Sequence, residues 1–328
     1  MKLLQYIFKI RNGIAYRYRN HYFLPFGMKC QNDFRGVRLN TPNKVSQRIS
    51  SLLEGDSPCL ISRFGSNELH CALFYKKNYH PFWFFRKLYP FWVPQWIKSQ
   101  IHDQAGFFPV RNDLLCVFSD LIFNSAKEID VLGSWIQSEK EIEDDMTYEC
   151  CPLLYLEPYW SSTPWSRSLK GKKVLVVHPF AEIIKKQYQK RHFLFPNPEI
   201  LPDFSSLTVV KAVQSLGDNH NGFKTWFDAL KYMEDQVDAV DYDIALIGCG
   251  AYGLPLAAHC KRTGKKAVHL GGALQLLFGI KGRRWEEEGY GSDYNFNYKP
   301  LLNNPNWVRP TKDETPTNSS KVEDACYW

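Results

Sequence analysis

At 328 residues, with 44% hydrophobic and 15% aromatic content, the chain carries enough apolar material for a large core, which excludes disorder as its overall state. Lysine and arginine number 41 against 34 acids, and the net +7 is too modest and too local to be a nucleic-acid signature. Prolines and charges interrupt every apolar stretch before 18 residues, so no membrane-spanning helix is expected, and nine cysteines without metal-type pairing read as reduced core thiols.

Residues 1–40 form a basic, aromatic leading segment. Lys2, Lys9, Arg11, Arg17, Arg19 and Lys29 stand there with no acid before Gln31. Lys9 and Arg11 cut the apolar stretch short and no small-residue cleavage site follows, which argues against a signal peptide and for a cytoplasmic protein. A second acid-free stretch, 74–98, carries Lys76, Lys77, Arg86, Lys87 and Lys98 among aromatic residues. Tyr and Trp favour the headgroup layer of a bilayer, and Lys or Arg are drawn to anionic lipid. Both stretches therefore predict peripheral attachment to the inner face of an anionic membrane. A buried aromatic cluster with solvated lysines is the competing expectation.

Thr41-Pro42 reads as an N-cap with proline in the first helical position, and Val45, Ile49, Leu52 and Leu53 recur on one face up to Gly55. Then come a strand at Pro58 to Ser62, a turn at Arg63 to Asn67 and a helix from Glu68. Further on, the pattern predicts a helix over Asn112 to Ser125, a strand over Ile129 to Leu132, an acidic helix around Ser138 to Met146 and a strand over Leu153 to Leu156. Lys173 to His178 reads as a strand, Phe180 to His192 as a helix, Leu207 to Val213 as a strand and Gly222 to Gln236 as a helix. Strands alternating with helices predict an α/β fold with a Rossmann-like parallel sheet covered on both faces. Residues 41–310 are expected to be one such domain, with 74–98 as an insert and 311–328 as a polar tail.

The strand Asp243-Ile-Ala-Leu-Ile247 feeds into Gly248-Cys-Gly-Ala-Tyr-Gly253, three glycines spaced G-x-G-x-x-G. Leu254 to Arg262 continues as a helix, Gly264 ends it, and Lys266 to Leu270 is the next strand. A glycine turn between a strand and a helix N-terminus suits a phosphate-bearing ligand. In a dinucleotide site an acid about 20 residues after the first glycine holds the ribose. Val268, His269 and Leu270 occupy that place here, which argues against ordinary NAD binding, although Arg262, Lys265 and Lys266 are available for the 2′-phosphate of NADP.

Earlier in the chain, Arg63-Phe-Gly-Ser-Asn-Glu-Leu69 follows another strand. Gly65 permits close backbone approach, and Glu68 stands in the first turn of the helix, either to act on a ligand or merely to complement the helix dipole. The pairing of R-F-G-x-x-E-L with the later D-I-A-L-I-G-x-G-A-Y-G and G-K-K-A-V-H-L-G-G resembles the GT-D fold glycosyltransferases, which accompany bacterial polysaccharide and glycoprotein assembly. The resemblance spans roughly Thr41 to Trp285. It implies a Rossmann-like domain, a nucleotide-sugar donor, expected to be a UDP-hexose, and a D-x-E motif for a divalent cation (Mn²⁺ or Mg²⁺) and the diphosphate. On this chain that motif falls on Ser66-Asn67-Glu68, so Glu68 is the one expected metal ligand, and the family's aspartate is Ser66.

The donor site is then expected to draw on Arg63, Phe64, Gly65, Ser66 and Asn67 from the first turn. Gly248, Gly250, Ala251, Tyr252 and Gly253 supply the second, with His178, His269 and Gly271 at other strand ends. Candidate catalytic carboxylates are Glu68, to hold a cation on the diphosphate or act as general base, and Glu157 or Asp218, to deprotonate the acceptor hydroxyl, with plain turn chemistry as the alternative for Asp218. Lys281, Arg283 and Arg284 either neutralise a diphosphate or form a solvated basic face. The expected acceptor is a glycan or lipid-linked glycan of surface polysaccharide assembly. The alternatives are an NAD(P)-dependent oxidoreductase and a nucleotide-sugar-binding protein without turnover.

Overall fold

The computed structural model describes residues 39–79, 95–142, 147–215, 219–311, 314 and 326–328. The expectations placed on residues 1–38, on the aromatic stretch 80–94 and on Asp218 lie outside the described residues.

The first helix, α1 (Pro42–Glu54), begins as its sequence dictates: Thr41 Oγ1 accepts a hydrogen bond from the Lys44 amide at 3.2 Å, and proline occupies the first turn. Such a cap contributes about 1 kcal/mol. Val45, Ile49 and Leu53 are buried beneath it. Next come β1 (Cys59–Ser62), α2 (Ser66–Tyr79), α3 (Gln95–Asp103), α4 (Asn112–Ala126) and β2 (Val131–Ser134). After β3 (Glu149–Pro152) the alternation is regular: β4 (Lys173–His178), α5 (Ala181–Gln189), β5 (Ser206–Lys211), α6 (Trp226–Asp238), β6 (Ile244–Ile247), α7 (Gly253–Arg262) and β7 (Lys266–His269). Two single-turn helices, α8 (Leu274–Leu277) and α9 (Lys299–Leu302), follow.

Seven strands form one all-parallel sheet in the order β3-β2-β1-β7-β6-β4-β5. The fold is Rossmann-like. Alternate residues of each strand enter opposite cores. Leu60, Leu175, Val177, Ala245 and Ile247 join the layer with Phe118, Trp226 and Leu256. Ile61, Val174, Val176, Ile244 and Leu246 join the layer with Ile49, Trp165 and Ile184. Burial on both faces is why these strands read as unbroken apolar runs.

The sheet order also places the site. From β1 the chain moves outward to β2 and β3, and from β4 it moves outward to β5 on the other side; β6 and β7 then fill the middle. Ile61 pairs with Val268 across β1 and β7, so two strands some 200 residues apart become neighbours. In such sheets the crevice opens where the strand order reverses, beyond the carboxyl ends.

Several elements differ from their sequence patterns. Residues 153–156 are not a strand; the strand is Glu149–Pro152 and Leu153–Leu156 turns as a 3₁₀ helix. Proline ends the ladder because it brings no N–H, and Leu156 folds under β2 against Gly133, its carbonyl accepting from Trp165 Nε1 at 2.8 Å. The acidic helix is a 3₁₀ turn over Gln137–Glu141, and residues 143–146 lie outside the described residues. The helix expected from Gly222 starts at Trp226 because Thr225 and Asp228 form a reciprocal capping box there. Residues 326–328 do not behave as the end of a polar tail: Cys326 is buried, and Tyr327 and Trp328 pack against the second core. No described helix is long and apolar enough to cross a membrane.

Candidate functional site

The carboxyl ends of β1, β4, β6 and β7 surround a cleft of about 170 Å³ with an open mouth. Both sequence motifs meet here. Arg63, Gly65, Ser66, Asn67 and Glu68 line one wall, and Gly248, Gly250, Ala251 and Tyr252 line the other. His178, His269 and Gly271 complete the floor.

The glycines of the G-x-G-x-x-G turn have three separate reasons. A Cβ at Gly248 would stand 2.6 Å from the Gly271 carbonyl and 2.9 Å from His178 Cδ2, so the crossing of three strand ends admits no side chain. Gly250 has φ +59° and open space where a Cβ would be, which leaves its backbone free to approach a ligand. A Cβ at Gly253 would overlap the His269 imidazole. Gly253 therefore serves helix–strand packing and does not line the cleft, which corrects its expected place among the ligand-binding residues. His269, in the stretch where a dinucleotide site has its acid, fills the space that this glycine leaves.

Both histidines are neutral. Desolvation pushes His178 down to about 3, and desolvation together with the nearby Arg63 charge pushes His269 down to about 3. His178 Nδ1 accepts the Phe180 amide at 3.0 Å, which leaves the ring proton on Nε2. His269 Nδ1 shares a 2.9 Å hydrogen bond with Ser62 Oγ, tying the end of β7 to the end of β1.

Tyr252 is fixed from two sides. Its ring stacks on Trp226 at 4.5 Å, and its hydroxyl donates at 2.6 Å to Ser215 Oγ, which donates in turn at 2.7 Å to the Gly106 carbonyl. Asn67 Nδ2 donates to Gln104 Oε1 at 2.9 Å, so this amide is also held. Phe64 departs from expectation. Its side chain is buried in the first core, and its contribution is a carbonyl that accepts from Arg63 Nε at 3.0 Å, Arg63 Nη2 at 2.9 Å and Trp135 Nε1 at 2.9 Å.

The cleft's charge comes from two arginines and one carboxylate. Arg63 lies over the Trp135 ring at 4.6 Å, and Arg284 lies over Tyr327 at 4.8 Å. Burial lowers Arg63 from the usual guanidinium value, but a guanidinium stays cationic at neutral pH. The Glu68 carboxylate folds back over Gly65, where any side chain would collide with it. Desolvation raises Glu68, opposed by its own backbone amide and by Arg63.

Glu68 is the sole side-chain carboxylate lining the cleft among the described residues, and no group of three His, Cys, Asp or Glu side chains gathers there. A hard divalent cation seeks about six oxygens. One carboxylate beside guanidinium groups does not fit a firmly held cation, so no catalytic step is assigned to one.

Glu157 is not in this cleft. It lines an adjoining chamber of about 30 Å³ whose wall shares Arg63, Trp135 and Arg284 with the cleft. Its Oε2 accepts from Tyr298 Oη at 2.6 Å and from Trp160 Nε1 at 2.8 Å. Desolvation nevertheless pushes this carboxyl up to about 7. Lys265 and Lys266 stand at the opposite end of β7, donating to the carbonyls of Tyr242 and of Leu53 and Gly55, and Arg262 lies 3.9 Å from Glu128. None of the three lines the cleft, so they are not placed for a cofactor phosphate there.

Sequence reading missed Trp135, Gln104, Phe180, Tyr327 and Trp328 among the cleft residues. Trp135 follows β2 by one residue, a position that the expected strand end at Leu132 hid. The signal for the last two was the aromatic pair that closes an otherwise polar stretch. Of the basic trio after α8, Arg284 alone lines the cleft, while Arg283 is exposed.

Comparison with known proteins finds no matching family model, no matching curated protein and no matching solved structure.

Proposed function

We propose that the chain is a glycosyltransferase that moves a hexose from a nucleotide-diphosphate donor, UDP-linked by resemblance, to a glycan or lipid-linked acceptor of surface polysaccharide assembly. The observation that supports this reading is the meeting of both motifs at one cleft. The turn after β1 and the turn after β6 are about 180 residues apart in sequence, yet both line it, together with two arginines. A dehydrogenase has no need of the Glu68 wall, and the cations that NADP would use face the other way.

The reaction would be displacement at the anomeric carbon. Glu68, the side-chain carboxylate lining the cleft, would take the proton of an acceptor hydroxyl, and its burial raises its basicity above that of an exposed glutamate. The Gly250 backbone and the arginines would bind the departing diphosphate, and developing charge on it would be stabilised by these fixed donors. Peripheral attachment to anionic membrane would come from the basic aromatic residues of 1–40 and of 74–98, apart from Phe74, Tyr75 and Ile97, which are buried in the first core as the competing expectation had it.

Thermal melts with UDP, UDP-hexoses, GDP-sugars, NAD and NADP, each with and without Mn²⁺, test the donor class. A true ligand at 100 times its Kd stabilises the fold by about 2.7 kcal/mol. At about 2.1 cal/mol/K per residue, this is a rise of about 4 °C for a chain of this length. Stabilisation by NADP alone sinks the proposal. Donor turnover that is equal in the native chain and in Glu68→Gln removes Glu68 from the mechanism.

A further inference from the structure

We infer that Arg63 and Arg284 form a paired-guanidinium seat for the ligand's diphosphate, and that the C-terminal Tyr327 is the positioning residue that aims Arg284. The ligand's identity rests on the nucleotide-sugar reading; the seat itself rests on anion chemistry.

The two arginines come from opposite ends of the fold, one after β1 and one after α8, yet both line the cleft and the small chamber beside it. Each is clamped on an aromatic ring. Arg63 is further tied through Nε and Nη2 to the Phe64 carbonyl, which turns its Nη1 toward Gly271, 3.3 Å from where a Cβ would be. Arg63 lines the cleft beside Glu68, whose carboxylate attracts its charge. The two guanidinium charges repel each other, Glu68 offsets that repulsion only in part, and an anion of two or more charges relieves the rest. A guanidinium presents a planar fork that matches phosphate oxygens, and a diphosphate has enough oxygens to engage two such forks. This seat supplies the charge that the lone Glu68 cannot draw from a firmly held cation.

Arg284 depends on residues 326 and 327. Its Nη1 donates to Tyr327 Oη at 3.1 Å, its backbone amide donates to the Cys326 carbonyl at 2.9 Å, and its guanidinium lies on the Tyr327 ring. Gln275 Nε2 fixes the Tyr327 carbonyl at 3.1 Å. Gly272 makes the seat for this ring, because any Cβ there would collide with it. The last residues are thus built into the cleft wall by separate contacts from α8 and from the turns after β7 and after α8.

Isothermal titration of the full chain with inorganic pyrophosphate in EDTA tests the seat, with UDP and a UDP-hexose titrated alongside and thermal melts confirming the fold of each variant. The expected result is metal-free pyrophosphate binding that weakens about tenfold or more in Arg63→Gln and in Arg284→Gln, as loss of a charged hydrogen-bonding partner predicts. Deletion of Tyr327 and Trp328 is expected to weaken it comparably. Tyr327→Phe, which keeps the ring and loses the hydroxyl, should fall between the native chain and Tyr327→Ala, a graded response that a merely structural role would not give. No binding in EDTA, or binding that appears only with Mn²⁺, overturns the seat. So does native-like pyrophosphate affinity in Arg284→Gln. Tighter binding after the deletion overturns the positioning role and makes the C-terminus a plug. Pyrophosphate binding through both arginines with no affinity for UDP or UDP-hexose sustains the seat while removing the transferase reading. UDP-hexose binding that ignores both arginines does the reverse.

Discussion

Glu157 offers a measurable link between burial and stability. Its side chain is 4% exposed and its carboxyl is pushed from 4.5 up to about 7. A carboxyl raised in the folded state binds its proton more tightly than in the unfolded chain. The stabilisation is therefore fully present below pH 4.5 and is lost as pH rises through about 7. At 1.36 kcal/mol per decade, the whole span is about 3 kcal/mol, of which about 2.5 kcal/mol falls between pH 5 and pH 8. His70, His178 and His269 work the other way, because their depressed values remove stability as pH falls from 6.5 toward about 4 or 3. The Glu157 contribution is isolated by comparison with Glu157→Gln, whose neutral amide can keep an oxygen on Tyr298 and Trp160. Urea unfolding of both proteins at pH 5, 6, 7 and 8 and constant ionic strength should show native stability, relative to the variant, falling by about 2.5 kcal/mol across the range. A difference that does not change with pH would refute the reasoning, since it would mean that Glu157 is solvated or stays ionised.

Gly253→Ala should destabilise the fold by about 1–3 kcal/mol despite alanine's better helix propensity, because the new methyl overlaps His269. A double change with His269→Ala should recover part of that loss in the same urea melts, and simple additivity would count against the contact. Gly250→Ala meets no atom, so its cost should be the backbone strain of a positive φ, about 1–2 kcal/mol, with a larger effect on nucleotide affinity than on stability by titration calorimetry. Tyr252→Phe loses one buried hydrogen bond to Ser215 while the Trp226 stacking persists, and chemical denaturation should show a loss of about 1 kcal/mol. Removing residues 1–40 and neutralising Lys76, Lys77, Arg86 and Lys87 should reduce sedimentation with anionic liposomes; unchanged binding would end the electrostatic account of membrane attachment.

Local chemistry made much of this fold legible in the sequence. Thr41-Pro42 and Gly55 mark the ends of α1 because caps act within one turn of chain. Lys173–His178 and Ile244–Ile247 are visible as apolar runs because each strand is buried on both faces. The two turns that line the cleft were found from glycine spacing and from a carboxylate at the start of a helix, patterns carried by adjacent residues. Glycine function was less legible. Gly248, Gly250 and Gly253 look alike in the sequence, but one answers to a crossing of strands, one to open space and one to a histidine.

What the tertiary structure alone decided follows from contacts between distant segments. The sheet order sets β1 beside β7, and only that pairing brings Arg63 to Gly271 and Ser62 to His269. Glu157 stood after an apolar run that passes for a strand, and Pro152 with the Leu156 packing moved it into a neighbouring chamber. The final aromatic pair carried no periodic signal, because its place on Gly272 and Arg284 depends on two turns more than 40 residues earlier. The sequence by itself determined the elements and the chemistry of the two turns. Which side chains share the cleft was decided by the order of strands, since that order rests on long-range packing and on no pattern within any one segment.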